Sequence, residues 1–412
     1  MIIKQYVKDF EKLEFGMFVH FGLYSTIGRG EWSRHLCNIP AEEYEALTAK
    51  FDPAPDWAEK LAKTAKSAGC KYITLTTRHH DGFSLYDNSP LNTFDAPHAR
   101  CGRDLVREFV DACRAEGLVP FFYHTLLDWR EPTYQSDFKA YLEYLRESIE
   151  ILCTRYGKIG GFWFDGMWNK WDEDWEEDAL YGLIRRYQPE AMIINNTGMG
   201  KRGELGHIEL DSVTFERGKP EPVNFEGAPK YIASEMCQIF GDHWGYAALD
   251  YNFKSLADII KDYLVCRKCG SNFLLNVGPM GDGLLRPLDT AMLTTLGDWI
   301  TRFSEACVGT ERCDVKVESS SDEDFVLKGD GCYYLFCHNL KMVGAADVVI
   351  NEDQIADFTV KLGIKEPVKS VSFLDNGKPL DYKKEGDTLT VLTSPQPYGQ
   401  SVVVRIAKIV VE

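Results

Sequence analysis

Between residues 16 and 300 the chain repeats one theme. A short apolar run rich in β-formers is followed by a longer stretch whose apolar positions return every three or four residues. The apolar runs span 16–24, 70–80, 118–129, 160–166, 191–197 and 271–279. Runs of that length with little polar interruption predict strands buried on both faces, as in a parallel sheet. The stretches between them predict amphipathic helices over 56–68, 104–117, 138–156, 255–269 and 288–303. The third carries Tyr141, Leu145, Ile149, Leu152 and Tyr156 down one face. Alternating β and α elements predict a parallel sheet covered by helices.

Six strands are clear, and two more fit within 207–215 and 230–238. Eight would close a (β/α)8 TIM barrel, and about 300 residues is an ordinary size for one; the rival is an open doubly wound sheet. The strand ends favour the barrel. His20, His79, His80, Tyr123, His124, Asp165, Asn195 and Asn196 all stand at or just past the carboxyl end of a run, and a barrel gathers such ends at one mouth. The expected barrel domain is 1–305. After Cys307 the texture changes to short alternating runs (325–327, 332–338, 348–350, 371–374 and 401–406) separated by Gly, Asp and Asn turns. This predicts a C-terminal antiparallel β-sandwich over 306–412.

At 412 residues two domains are the prior, and 44% hydrophobic residues suffice for a large interior. The net charge of −17 argues against nucleic acid and anionic membrane surfaces as partners and favours a neutral ligand. No apolar run reaches the eighteen or so residues of a membrane span. The first sixteen residues lack the apolar core of a signal peptide, so a cytoplasmic protein is expected. The twelve cysteines include Cys70, Cys113, Cys153 and Cys237 in apolar contexts, which reads as buried free thiols. Charge does not count subunits, so a homo-oligomer stays open.

Candidate chemistry centres on Trp163-Phe164-Asp165-Gly166. A buried strand has little reason to end on a carboxylate unless the carboxylate is used. Asp165 also fits a helix cap, but Trp163, two residues earlier, shares its face of the strand, and an aromatic ring beside an acid suits a sugar. Glycoside hydrolysis needs a second carboxyl group. The candidates are Glu204, Glu209, Asp211, Glu216, Glu221 and Glu235. Glu216 stands out because it ends the apolar approach Val213-Thr214-Phe215, and an apolar setting raises a carboxyl pKa as a general acid requires. His79-His80-Asp81-Gly82 closes the second strand. Those histidines could bind sugar hydroxyls, or a metal together with His20, His124, His207 or His243. No HExxH or H-x-H spacing supports the metal. Gly198–Gly203 spells G-x-G-x-x-G with no helical period after it, and Cys266-x-x-Cys269 has no second pair, so neither marks a cofactor site.

These segments together resemble the α-L-fucosidases of glycoside hydrolase family 29. The resemblance covers roughly 10–300. It rests on Phe15-Gly16-Met17-Phe18-Val19-His20-Phe21-Gly22, Glu31-Trp32, Thr77-Arg78-His79-His80-Asp81-Gly82-Phe83, Trp163-Phe164-Asp165-Gly166, His243-Trp244-Gly245-Tyr246 and Asn272-Phe273-Leu274-Leu275-Asn276-Val277-Gly278-Pro279. It implies a retaining, exo-acting hydrolase that needs no metal or cofactor and acts on fucosylated glycans. Asp165 would be the nucleophile, and Glu216 or Glu235 the acid/base, with Glu216 favoured. His20, Glu31, Trp32, His79, His80, Tyr123 or His124, Trp163 and Trp244 would bind the fucose. Two departures stand out: Asn195-Asn196-Thr197 where the family often has Asn-Asp-Arg, and Tyr123-His124-Thr125 where it often has Tyr-Ser. The competing readings are a metal-dependent barrel hydrolase and a fucose-binding protein without catalysis.

Overall fold

The computed structural model describes residues 1–196, 205–343 and 358–412. Thr197, the Gly198–Gly203 loop, Glu204 and the run at 348–350 lie outside the described residues. Compactness divides the chain into two units. One is Met1–Ser255 with Ser271–Gly297; the other is Leu256–Gly270 with Asp298–Glu412.

The first unit carries eight strands: β1 Phe15–Val19, β2 Tyr72–Arg78, β3 Val119–Thr125, β4 Gly161–Asp165, β5 Met192–Asn195, β6 Ser212–Glu216, β7 Ala233–Ile239 and β8 Asn272–Val277. They form a closed barrel in chain order. Every adjacent pair is parallel, and β1 closes on β8 from Phe15↔Phe273 to Val19↔Val277. The two uncertain runs supply β6 and β7. The barrel prediction therefore holds and the open sheet does not.

Inward-facing side chains fill the barrel. Phe18, Tyr72, Phe121, Tyr123, Trp163, Met192, Ile194 and Leu274 form one buried cluster with Val7 and Phe10 of the helix Gln5–Glu11. Phe10 packs edge-on against Tyr72 at 5.7 Å and tilted against Phe121 at 5.6 Å, which plugs the amino end of the barrel with aromatic surface. Truncating such a ring costs roughly 3–5 kcal/mol. Gly16 is required on β1 because a Cβ there would meet the Tyr72 ring at 2.4 Å. On the same unit, Asp211 is fully buried and accepts from Arg185 at 2.5 Å, Lys230 at 3.3 Å, Ile193 N–H at 3.0 Å and Tyr6 O–H at 3.2 Å.

The helices Trp57–Ser67, Leu105–Ala115 and Phe138–Arg155 match the predicted amphipathic stretches. Asp104 and Asp137 cap two of them by accepting from the N–H of Arg107 and of Ala140. Among the described residues, two helices longer than five residues fall outside the predicted stretches. Gln5–Glu11 is too short for a clear period, and Glu177–Tyr187 follows an acidic stretch that masks its start. Among the described residues no helix is long and apolar enough to cross a membrane.

The second unit holds the helix Leu256–Cys269 and the end of the helix Pro287–Arg302 from Asp298 onward; the larger part of that helix belongs to the first unit. Its strands are β9 Glu311–Arg312, β10 Val317–Glu318, β11 Phe325–Gly329, β12 Cys332–Cys337, β13 Phe358–Gly363, β14 Val368–Phe373, β15 Tyr382–Glu385, β16 Thr388–Thr393 and β17 Arg405–Val411. They form two antiparallel sheets, ordered β10-β13-β16-β15 and β14-β17-β12-β11-β9. Val360, Leu362, Leu389 and Val391 of one sheet pack with Leu335, Val371, Phe373, Ala407 and Ile409 of the other. This is the expected sandwich: alternate residues of each strand point into the shared core.

Candidate active site

The carboxyl ends of the strands surround a pocket of about 240 Å³. Six of these ends deliver a side chain at or near the point where regular pairing stops. His20 follows β1, His79 and His80 follow β2, Tyr123 lies near the end of β3, Asp165 ends β4, Asn196 follows β5 and Glu216 ends β6. Glu31 and Trp32 reach the pocket from the connection after β1, and Trp244 from the connection after β7. Gly166 lets the chain turn away directly after Asp165. Its φ is +108°, and a Cβ there would stand 2.8 Å from Leu127.

Asp165 is held from two sides. Tyr123 O–H donates to Oδ2 at 3.0 Å, and the Asn196 side-chain amide donates to Oδ1 at 3.3 Å. The same Asn196 nitrogen donates to Glu216 Oε2 at 2.5 Å. Thr214 O–H donates to Asn196 Oδ1 at 3.1 Å, which fixes the amide in that orientation. Burial pushes the Asp165 carboxyl well above its ordinary range. The negative charge of Glu216 adds to the rise, while Tyr123 and Asn196 oppose it. Two acids placed this close favour holding one proton between them.

Burial acts the other way on the histidines. His20 and His80 are each pushed down to about 3, and His79 well below its ordinary value, so all three are neutral. His79 stacks on Tyr123 at 5.5 Å, and Trp32 meets His80 edge-on at 5.3 Å. Trp244 lies tilted over His20 at 5.2 Å, and its loop is pinned where Gly245 N–H donates to Glu31 Oε2 at 2.7 Å. Among the described residues none that lines the pocket is Lys or Arg. Neutral imidazoles, flat rings and a carboxyl pair suit an uncharged, hydroxyl-rich ligand. Among the described residues no three His, Cys, Asp or Glu side chains stand together as a metal ion needs.

Comparison with known proteins bears on the family and the fold. The sequence model of the family described as Alpha-L-fucosidase matches residues 3–305. The chain belongs to the α-L-fucosidase family. It is a glycoside hydrolase. The alpha-L-fucosidase of Dictyostelium discoideum is 24% identical, covering 96% of this chain and 91% of that one. The tissue alpha-L-fucosidase of Homo sapiens is 26% identical over 80% and 75%. Among solved structures, alpha-L-fucosidase isoenzyme 1 from Paenibacillus thiaminolyticus superposes with a TM-score of 0.80 at 28% identity, covering 99% of both chains.

Within this fucosidase fold, two expected site residues lie elsewhere. His124 faces away from the barrel interior. Its Nδ1 pairs with the Thr125 carbonyl at 2.7 Å and its Nε2 with Tyr86 O–H at 3.3 Å. Neighbours on a strand point to opposite sides, so Tyr123 inside puts His124 outside. Glu235 does face inward, but one layer beneath the pocket. It accepts from Tyr72 O–H at 2.5 Å and from Trp163 Nε1–H at 2.9 Å. Burial pushes it up to about 7. It anchors the ring of Trp163, and Trp163 in turn lines the pocket.

Four lining residues were not assigned to the site from the sequence: Phe18, Trp168, Asn196 and Cys237. Asn196 was noted as a strand-end polar residue, and that position was its signal. Trp168 follows Asp165 by three residues, and an aromatic so close to a strand-end acid was a usable cue.

Proposed function

We propose that the chain is a retaining, exo-acting α-L-fucosidase with Asp165 as nucleophile and Glu216 as acid/base. The observation that carries this is the shared Asn196 amide. Its two contacts, 3.3 Å and 2.5 Å, keep the Asp165 and Glu216 oxygens it touches within about 6 Å of each other. An upper bound of that size is compatible with the roughly 5–5.5 Å of a retaining pair and lies below the 6.5 Å or more that leaves room for an attacking water.

Asp165 attacks the anomeric carbon from one face of the sugar. The bond from that carbon to the leaving oxygen breaks while Glu216 passes its proton to that oxygen. A glycosyl ester on Asp165 results. Water then attacks the same carbon, Glu216 takes its proton, and the ester bond breaks to release the sugar with its original configuration and a free Asp165 carboxylate. The first step needs the proton on Glu216 and an ionised Asp165.

The substrate reading follows the pocket lining. His20, His79 and His80 supply polar edges for sugar hydroxyls, and Glu31 lies beside them. Phe18, Trp163 and Trp244 supply an apolar wall suited to a deoxy sugar's methyl group. A pocket gathered from strand ends accepts one terminal ring, which supports exo action on fucosylated glycans. The relatives carry the same activity in their names.

The test is Asp165→Ala. Turnover of an aryl α-L-fucoside should vanish, and azide should restore it with β-fucosyl azide as product. Full activity in that variant ends the proposal, and an α-configured azide product would reassign Asp165 to the acid/base role.

A further inference from the structure

Two of the three pocket histidines have their protons placed by neighbours behind them. His20 Nδ1 lies 2.6 Å from Asn276 Oδ1. The Asn276 amide donates its Nδ2 to the Trp244 carbonyl at 2.7 Å. A carbonyl only accepts, so Nδ2 must face Trp244 and Oδ1 must face His20. Two bare acceptors do not approach to 2.6 Å. His20 Nδ1 therefore carries the hydrogen, and its Nε2 keeps a lone pair.

The same accounting applies to His80. Its Nδ1 lies 2.7 Å from Thr125 Oγ1. That hydroxyl donates its one hydrogen to the Leu127 carbonyl at 2.5 Å. Toward His80 it has only lone pairs to offer, so His80 Nδ1 also carries the hydrogen. His80 Nε2 is left bare, 3.8 Å from Asp165 Oδ2. Both rings are buried, 4% and 1% exposed, and both are neutral, so each has one donor and one acceptor. His79 lacks such a clamp: its Nδ1 is buried with no hydrogen-bond partner.

We propose that Asn276 and Thr125 are positioning residues that present His20 and His80 to the substrate as hydrogen-bond acceptors only. The pocket then demands a hydroxyl proton at two places. A methoxy group or a fluorine there offers no proton and is rejected. The clamp on His80 has a second effect. The opposite tautomer would aim a further N–H at Asp165 Oδ2, which already accepts from Tyr123. Thr125 holds that hydrogen on the far side of the ring, so His80 adds no donor to the carboxylate. The identity of the sugar rests on the fucosidase reading above; the tautomers do not.

The experiment is a two-bond ¹H–¹⁵N correlation spectrum of the ¹⁵N-labelled full chain without ligand at neutral pH, with single His→Asn variants used to assign peaks. His20 and His80 should each show a protonated Nδ1 and a bare Nε2. Thr125→Val keeps the side-chain shape without the hydroxyl. It should move the His80 hydrogen to Nε2, leave the His20 signals in place, and lower kcat/KM on an aryl α-L-fucoside by about tenfold to a hundredfold, the size of loss seen when the orienting partner of a metal-bound histidine is removed. Thr125→Ser should restore both tautomer and rate. A wild-type spectrum with hydrogen on His80 Nε2 overturns the proposal, and so does a Thr125→Val enzyme that keeps the original tautomer or full activity. If Thr125→Val does not fold, the wild-type spectrum decides alone. Correct tautomers in a chain that releases no fucose would remove the substrate reading and leave the positioning roles standing.

Discussion

Asn196 donates its side-chain amide to Glu216 at 2.5 Å, and the same nitrogen reaches Asp165 at 3.3 Å. One neutral donor thus spans two acids that would otherwise repel, and Thr214 locks its orientation. The contact lowers the Asp165 pKa against the upward push of burial and of Glu216.

Removing that donor has a signed consequence. In the proposed mechanism Asp165 attacks as a carboxylate, and Asn196→Ala takes away a group that favours the ionised form. The acid limb of the kcat/KM profile should move to higher pH, and kcat should fall by about ten- to a hundredfold as the two acids lose their spacer. A pH–rate profile for the variant measures both; an unchanged acid limb would show that the amide does not tune the nucleophile.

The two glutamates should separate cleanly. Glu216→Gln should lower kcat/KM on a natural fucosyl disaccharide by roughly 10²–10⁴, the usual worth of general acid catalysis. The loss should shrink on a dinitrophenyl fucoside, whose leaving group needs no proton. Glu235→Gln keeps an acceptor oxygen for Trp163 N–H, and its amide N–H can donate to the Tyr72 oxygen in place of the lost acceptor; it should cost less than about tenfold, equally on both substrates. The reverse ranking would make Glu235 the acid/base.

Glu235 also links stability to pH. Its pKa rises from an ordinary 4.5 to about 7 on folding because burial disfavours its charge. Between those values the folded chain holds a proton that the unfolded chain has released. The contribution is complete below about 4.5, declines as pH climbs, and is gone above about 7. Glu235→Gln removes this dependence. Subtracting its urea-unfolding free energies from those of the parent, pH by pH, should give a difference that falls across that window and is flat above it.

Asp211 is a buried anchor of the barrel unit. Asp211→Ala leaves Arg185 and Lys230 without their shared buried partner and Ile193 N–H without an acceptor. The expected loss is roughly 3–5 kcal/mol, read from the denaturant midpoint. Asp211→Asn keeps hydrogen-bonding atoms without the charge and should fall between. A loss below about 1 kcal/mol would mean that water replaces the carboxylate.

Much of the site was legible in the chain. The alternation of apolar run and amphipathic stretch implied a parallel sheet, and polar residues at the ends of those runs implied a common mouth. His20, His79, His80, Tyr123 and Asp165 were found that way because a strand buried on both faces tolerates polar side chains only where it ends. Glu31, Trp32 and Trp244 carry no such signal in a loop; they came from the family resemblance.

What remained open were questions of facing and depth, and both are tertiary. Adjacent residues on β3 had to face opposite ways, but only the closed barrel decided that Tyr123 points in and His124 out. Glu216 and Glu235 both lie on strands with apolar neighbours. The pairing of β6 with β7 sets Glu216 level with Cys237 and Thr214 level with Glu235, so Glu216 reaches the pocket and Glu235 stays one layer beneath it. Residue pattern along a strand reports burial, because burial depends on side-chain chemistry. It does not report height in the barrel, because height is set by the stagger between strands, and stagger exists only once the sheet has closed.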